Sequence, residues 1–171
     1  MALVLLPGLN NLIEDISEEK KLPSQIVEAA LREALLKGYE RYRRTLYLGI
    51  SEDPFEEEYF SNFDVGLDLD EEGYRVLASK IIVEEVESED HQIALVEVMQ
   101  VADDAQLGDT VVLDVTPERE DFGRMAAATT KQVLAQKLRD QQRRMIQEEF
   151  ADLEDPVLTA RVIRFERQSV I

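Results

Sequence analysis

The longest helical pattern of the chain lies in its C-terminal half, and it limits the folds available to the remaining residues. The pattern runs from about residue 122 to about residue 153, with Asp121 as the expected N-cap. At 1.5 Å per residue, a helix of this length spans roughly 45–50 Å. A small sheet cannot cover so long a helix. We therefore expect other helices to pack along part of it, and its far end to project.

The apolar stripe of this helix is short. Leu134, Leu138 and Met145 lie on one stripe, and Ile146 and Phe150 extend it with a shift. A coiled coil requires apolar heptads sustained over many turns, whereas this stripe runs cleanly for only about four turns. A coiled-coil adaptor is thus a weaker alternative interpretation of the long helix.

Two further helices are predicted near the N-terminus. Asn10 is the expected N-cap of the first helix. The second follows a Leu-Pro pair, its apolar residues recur with helical spacing over residues 26–35, and Gly38 weakens it near its end. Directly after it comes a basic cluster: Lys37, Arg41, Arg43 and Arg44. Cations at a helix C-terminus stabilise the helix dipole, which is one sufficient explanation of this cluster.

A small sheet is predicted between these helices. Residues 63–69 alternate between apolar and polar, as a half-buried strand does, and a turn at residues 71–73 leads to a partner strand at residues 74–86. A third strand is predicted at residues 111–115, while residues 93–101 fit either a strand or a short helix. The fold class is therefore α+β: a small β-sheet head, a body of bundled helices and one long C-terminal helix.

The charge balance restricts the partners of the chain. Asp and Glu number 37 against 19 Lys and Arg, which gives a formal net charge of −18. Such a chain repels the phosphate backbone, so we expect no DNA partner, although a local basic patch can still meet RNA. The absence of Cys suits a cytoplasmic protein, and the apolar N-terminal segment is too short to enter a membrane.

An ordered series of motifs surrounds the start of the long helix. Leu107-Gly108-Asp109 precedes a strand and Thr116-Pro117, and then follow Phe122-Gly123-Arg124, Ala126-Ala127 and Lys131-Gln132-Val133. In this order and spacing the motifs resemble the N-terminal domain of the NusA family of bacterial transcription elongation, termination and antitermination factors. Residues 156–171 are similar to the start of the S1 domain that follows in that family. We therefore predict a polymerase-binding domain at residues 1–154 and an incomplete S1 (OB-fold) start at residues 155–171.

The resemblance implies a function without chemistry. Domains of this family dock on RNA polymerase beside the RNA exit channel, engage the β flap near the α C-terminal domain, and modulate pausing, termination and antitermination. We expect a monomer with a groove that binds a helix of the polymerase. We also expect nascent RNA to pass along a basic edge of the domain. The predicted groove residues are Ile13, Ile16, Val27, Leu31, Leu138 and Met145. The predicted RNA-proximal residues are Lys37, Arg41, Arg43, Arg44, Lys131, Lys137 and Arg139.

A metal-dependent hydrolase is the alternative from another functional class. It would use Asp64, Asp68 and Asp70, which alternation places on one strand face, where solvated acids would also lie. His91 is the only His, and it sits in a polar connection without a nucleophile elbow, so we expect a surface residue. We predict that the chain is not an enzyme, has no catalytic residues and binds no metal or cofactor.

Overall fold

The structure is a computed structural model, and it combines helices with a small, mostly antiparallel sheet. The residues it describes are 3–46, 55–56, 58–102, 104–118, 120–151, 161–163, 165–166 and 169–170. Within them, four helices pack around a five-stranded sheet, and a separate two-stranded hairpin lies near the C-terminus. The predicted α+β class is confirmed. Residues 51–58 are acidic and contain Pro54, so the sequence predicts a loop there, and most of this segment falls outside the described residues.

The central strand of the sheet pairs with all four others. The strands are β1 (Val4–Leu5), β2 (Phe63–Asp68), β3 (Gly73–Val83), β4 (Gln92–Ala94) and β5 (Thr110–Asp114). β2 and β3 form the predicted hairpin, with Val65 opposite Val76. β5 pairs antiparallel with β3, and β4 pairs with it in parallel. The ambiguous residues 93–101 contain both candidates, since β4 is followed at once by the short helix α3 (Leu95–Val98).

The other helices are α1 (Leu9–Lys20), α2 (Ser24–Leu46) and α4 (Glu120–Ala151). α2 does not end near Gly38 but continues to Leu46. Leu35 and Tyr39 on either side of this glycine are each only 2% exposed. Burial of these side chains outweighs the low helix propensity of glycine. The basic cluster of residues 37–44 therefore lies in the last turns of α2 rather than after the helix.

Both predicted N-caps are wrong. α4 begins at Glu120, so Asp121 lies inside its first turn. The cap position of α1 is Gly8, whose φ of 81° is one that glycine adopts without strain. The amide of Gly8 donates to Glu72 Oε2 at 2.9 Å, so a carboxylate from the β2–β3 turn caps the helix. Asn10 instead donates its side-chain amide to the carbonyl of Leu69 at 2.9 Å.

The core lies between α2, α4 and the sheet, and aromatic rings fill its centre. Phe122 is fully buried, as expected of a packing residue, with its ring centroid 6.0 Å from that of Tyr39 and 5.1 Å from that of Tyr42. Tyr39 also contacts Phe63 of β2 at 5.4 Å. The aromatic signature residue thus fixes the start of α4 against both α2 and the sheet.

The distal part of α4 leaves the core, as predicted for so long a helix. Leu138 is buried, whereas Ile146 and Phe150 are 54% and 53% exposed. Beyond α4, β6 (Phe165–Glu166) pairs with β7 (Ser169–Val170). Most of residues 152–164 lie outside the described part, and the S1 start remains a prediction. No helix in the described ranges is apolar over a length sufficient to span a bilayer.

Candidate docking groove

An apolar groove of about 720 Å³ opens between the N-terminal strand, α1 and α4. Leu12 and Ile16 of α1 form one wall, and Leu134 and Leu138 of α4 form the opposite wall. The remaining apolar lining comes from Val4, Leu5, Leu6, Leu31, Leu35, Tyr74 and Ala135. We call this surface the docking groove.

The helical periodicity of α1 explains how one short helix serves both the core and the groove. Leu9 and Ile13 are four residues apart and face the core, with exposed fractions of 1% and 5%. Leu12 and Ile16 are likewise four residues apart, and they line the groove. The apolar arc of α1 is therefore wide enough to cover the core and leave a second apolar row open.

The structure brings together only part of the predicted groove set. Ile16, Leu31 and Leu138 line the docking groove. Ile13 and Val27 are enclosed in the core, and Val27 is fully buried. Met145 lies two turns beyond Leu138 on α4, is 37% exposed and is not part of the groove lining.

The groove also contains a polar residue that sequence reasoning missed. Thr130 of α4 is 8% exposed and lines the groove. Its Oγ1 is buried and has no hydrogen-bond partner among the residues that the structure describes. Nothing in the sequence marked this residue, because a threonine in a helix usually faces water or bonds to its own helix backbone.

Three cations stand along the groove: Lys20, Lys131 and Arg139. Lys20 contacts Glu19 at 2.6 Å, while the side chains of Lys131 and Arg139 are in no ion pair with the described residues. The Gln142 side chain donates to the Lys20 carbonyl at 3.0 Å, which ties the end of α1 to α4. The groove therefore has apolar walls and a positively charged rim.

The other predicted RNA-proximal cations, with the exception of Arg41, have partners among the described residues. Lys37 pairs with Glu40 at 2.8 Å, and Lys137 pairs with Glu33 of α2. Arg44 donates to the carbonyl of Phe55 at 3.3 Å and lies over aromatic rings. Arg41 is exposed near the end of α2. The exposed charge of the predicted set therefore resides mainly on Arg41, Lys131 and Arg139.

Arg43 belongs to an internal network. Its guanidinium donates to both carboxylate oxygens of Asp90, at 2.7 and 3.1 Å, and to the Tyr39 hydroxyl at 2.9 Å. The Tyr59 hydroxyl also donates to Asp90, at 2.6 Å. This network ties the end of α2 to the connection between β3 and β4.

Burial and hydrogen bonding act against each other on the acid of this network. Burial alone would raise the pKa of Asp90, but the hydrogen bonds from Arg43 and Tyr59 outweigh it and hold that pKa below its ordinary value. Burial, followed by the hydrogen bond to Asp90, raises the pKa of Tyr59 to about 12. Both groups therefore keep their present protonation states at neutral pH.

His91 is partly buried and structural, which refines the expectation of a surface residue. Its Nε2 lies 2.9 Å from the Tyr59 carbonyl, which can only accept, so Nε2 carries a proton and donates it. Its Nδ1 lies within hydrogen-bond distance of the Ser88 hydroxyl, at 2.9 Å. The ring packs edge-on against Tyr59.

Of the three acids of the hydrolase alternative, Asp64 and Asp68 bond to neighbouring residues, and Asp70 is exposed in the turn after β2. Asp68 accepts from the Glu71 amide at 3.0 Å and lies 3.6 Å from Arg75, and Asp64 accepts from the Val65 amide at 2.7 Å. In the described part of the chain, no three His, Cys, Asp or Glu side chains gather in a geometry that would hold a metal.

Comparison with known proteins identifies relatives with named functions. The chain is 31% identical over 155 residues to the transcription termination/antitermination protein NusA of Bacillus subtilis, a match covering 91% of this chain and 38% of the relative. The protein of the same name from Halalkalibacterium halodurans is 31% identical over 149 residues, covering 87% of this chain and 35% of the relative. The chain thus spans little more than a third of these relatives. Their names describe transcription factors and not enzymes.

A solved structure and a family profile cover the folded part of the chain. The solution structure of the N-terminal domain of NusA from Bacillus subtilis superposes with a TM-score of 0.54 at 29% identity. That match covers 80% of this chain and 97% of the other. The profile of the NusA N-terminal domain matches residues 8–144, which include α1, α2, the strands β2 to β5 and the groove-lining part of α4. The chain therefore belongs to the NusA N-terminal domain family.

Proposed function

We propose that this chain is a transcription factor module that binds bacterial RNA polymerase near the RNA exit channel and modulates pausing, termination and antitermination. The family membership and the names of the relatives support the transcriptional role. The observation that carries the polymerase contact is the docking groove. We assign the β flap to this groove, with the α C-terminal domain as a neighbouring contact.

The dimensions of the groove suit one short amphipathic helix. Its α4 wall runs from Thr130 to Arg139, and at 1.5 Å per residue this length corresponds to between two and three turns. The walls are apolar, which favours the helix-in-groove mode of recognition. The rim cations Lys20, Lys131 and Arg139 favour a helix that carries acidic residues beside its apolar face.

Nascent RNA is the second proposed contact. Arg41, Lys131 and Arg139 expose positive charge, while the net charge of −18 repels RNA from the rest of the molecule. RNA leaving the exit channel would thus be guided along a basic edge without a sequence-specific site. This RNA contact would weaken as salt increases, because salt screens the exposed cations.

The polymerase contact is tested with fluorescently labelled chain titrated with bacterial core RNA polymerase, and with a core enzyme that lacks the flap-tip helix. The test variant is Leu12→Asp, which places a charge on the apolar wall of the groove. The matched control is Val96→Asp on α3, because Val96 is 74% exposed and does not line the groove.

We expect wild type and Val96→Asp to bind core enzyme equally. Deletion of the flap tip or Leu12→Asp should weaken binding by at least about 10-fold, since each change leaves apolar surface or charge unmatched. Equal binding to both core enzymes would refute the flap assignment. Equal binding by Leu12→Asp and Val96→Asp would refute the groove as the contact surface.

A further inference from the structure

Two walls of the docking groove are joined by a short connection. β1 ends at Leu5 and α1 begins at Leu9, so the connection consists of Leu6, Pro7 and Gly8. Leu6 itself lines the groove. Gly8 has a φ of 81°, which glycine adopts without strain. The conformation of this connection sets the direction in which α1 leaves β1, and it therefore sets the shape of the groove.

Both backbone donors of the connection bond to a single residue of the turn between β2 and β3. The Leu6 amide donates to the Glu72 carbonyl at 2.7 Å. The Gly8 amide donates to Glu72 Oε2 at 2.9 Å. Pro7, between them, has no amide hydrogen to donate. Glu72 thus holds the connection at two points, one through its backbone and one through its side chain.

Glu72 has an unfavourable backbone conformation at this position. Its φ is 49°, in the left-handed region, which residues other than glycine adopt infrequently. A glycine would adopt this φ without strain, but it would have no carboxylate to accept from the Gly8 amide. Backbone strain of this kind is concentrated at positions that serve a function. At Glu72 the strain accompanies a side chain that fixes the start of α1.

We propose that Glu72 is a positioning residue of the docking groove, which fixes α1 relative to β1 before the polymerase helix binds. This inference rests on the proposed docking of that helix. Leu12 and Ile16 line the groove from α1, so a change in the direction of α1 moves both side chains. Without the carboxylate, α1 keeps its core contacts and the exposed hydrogen bond of Asn10, but its direction at Gly8 is less restricted. Binding must then supply that restriction, at a cost in affinity.

The test compares three substitutions of Glu72 by urea denaturation and by titration with core RNA polymerase. Glu72→Gln retains an oxygen that can accept from the Gly8 amide. Glu72→Ala removes the acceptor and keeps the backbone strain, whereas Glu72→Gly removes both. The matched control is Glu71→Ala, which removes the same charge from the same turn at a side chain that is 65% exposed. A core enzyme without the flap-tip helix tests the docking itself.

We expect affinity to follow the hydrogen-bond acceptor and not the stability of the domain. Glu72→Ala and Glu72→Gly should both weaken binding by roughly 3–10-fold, the range that corresponds to the loss of a capping hydrogen bond. Of these two variants, Glu72→Gly should nevertheless be the more stable. Glu72→Gln and Glu71→Ala should bind within about 2-fold of wild type, because an exposed charge contributes little. Hydrogen exchange of the Gly8 amide should be faster in Glu72→Ala and Glu72→Gly than in Glu72→Gln.

Four results would overturn the inference. If Glu72→Gly binds like wild type while Glu72→Ala binds more weakly, affinity follows stability and Glu72 has only a structural role. If Glu72→Gln binds as weakly as Glu72→Ala, the charge matters and the hydrogen bond does not. If all three variants bind like wild type while deletion of the flap tip abolishes binding, the groove is used but Glu72 does not position it. If deletion of the flap tip leaves wild-type binding unchanged, the proposed docking fails, and the inference fails with it.

Discussion

Single residues join segments that are far apart in the sequence. Arg43 and Asp90 are 47 residues apart, and their side chains are only 18% and 22% exposed. Tyr39 and Tyr59 complete the hydrogen bonding of the pair. A half-buried pair with these additional partners costs more to break than a surface ion pair.

Asp90→Asn should lower the free energy of unfolding by about 2 kcal/mol at pH 7, because it leaves the Arg43 guanidinium partly buried without its counter-charge. Urea denaturation monitored by circular dichroism measures this loss. Glu71→Gln is a suitable control, since the Glu71 carboxylate is 3.9 Å from Arg75 and 65% exposed. A loss no larger than in Glu71→Gln would contradict the structural role of the network.

The same pair predicts how stability depends on pH. The folded pKa of Asp90 is lower than its ordinary value of 3.8. The ionised form is therefore favoured by folding, and its contribution is fully present above the unfolded pKa. It is lost as pH falls from 3.8 through the folded pKa. The stability difference between wild type and Asp90→Asn should hence shrink below about pH 4. A difference that is constant down to pH 2.5 would contradict this account.

Gly73 allows the N-terminal strand β1 to lie close to β3. A Cβ at this position would lie 2.8 Å from the carbonyl oxygen of Val4, which is backbone and cannot rotate away. Gly73→Ala should cost about 1–3 kcal/mol in urea denaturation and should weaken polymerase binding, because β1 lines the groove. Gly66→Ala is the control, with its Cβ 3.3 Å from the flexible Leu77 side chain. Equal stability of the two variants would contradict the proposed constraint.

At the scale of elements, the long helix has two parts with different energetics. The part that ends at Leu138 packs on α2 and lines the groove, whereas the part beyond Gln142 is mostly exposed. Leu138→Ala should therefore cost about 2–5 kcal/mol. Ile146→Ala, on the same helix but 54% exposed, should change stability by no more than about 0.5 kcal/mol. Thermal and urea unfolding of the two variants measure the difference. Equal losses would mean that the distal part of α4 is covered.

Local sequence patterns predicted the helices and strands, whereas contacts between distant residues determine where the helices begin and end. The alternation at residues 63–69 and the apolar spacing at residues 26–35 are properties of neighbouring residues, so β2 and α2 were predictable. The cap of α1 was not, because it comes from Glu72, 64 residues away from Gly8. The length of α2 was also underestimated, since burial of Tyr39 beneath Phe122 is a tertiary effect.

The groove was predictable only in part, for the same reason. Periodicity identified an apolar arc on α1 that includes Ile13 and Ile16, but it does not say which of them the core covers. The position of β1 and α4 assigns Ile13 to the core and Ile16 to the groove. Thr130 had no sequence signal, because the groove that it lines is formed by segments far apart in the sequence.

At the scale of the whole molecule, the proposed function depends on one apolar surface with a basic rim, in a chain whose net charge is −18. β1, α1 and α4 each supply part of the groove. Because these elements are far apart in the sequence, the groove forms only in the folded domain. The acidic remainder leaves few other surfaces that would attract RNA or another anionic partner.

The salt dependence of polymerase affinity distinguishes the contribution of the rim cations from that of the apolar walls. Lys131→Gln combined with Arg139→Gln should flatten the dependence of polymerase affinity on salt concentration, because the rim charges steer association. Leu12→Asp should instead weaken binding at every salt concentration. Titrations between 50 and 300 mM potassium chloride, over which the Debye length falls from roughly 14 Å to roughly 6 Å, measure both effects. An unchanged slope in the double variant would remove the rim from the account.

The central claim is that the docking groove binds the polymerase flap, and amide chemical-shift mapping of the isotope-labelled chain with an isolated β-flap fragment tests it most directly. We predict saturable shifts at Leu12, Ile16, Leu134 and Leu138 that persist at high salt. Shifts confined to the end of α2 and lost at high salt would contradict the claim, as would an unchanged spectrum of the folded chain at saturating flap fragment.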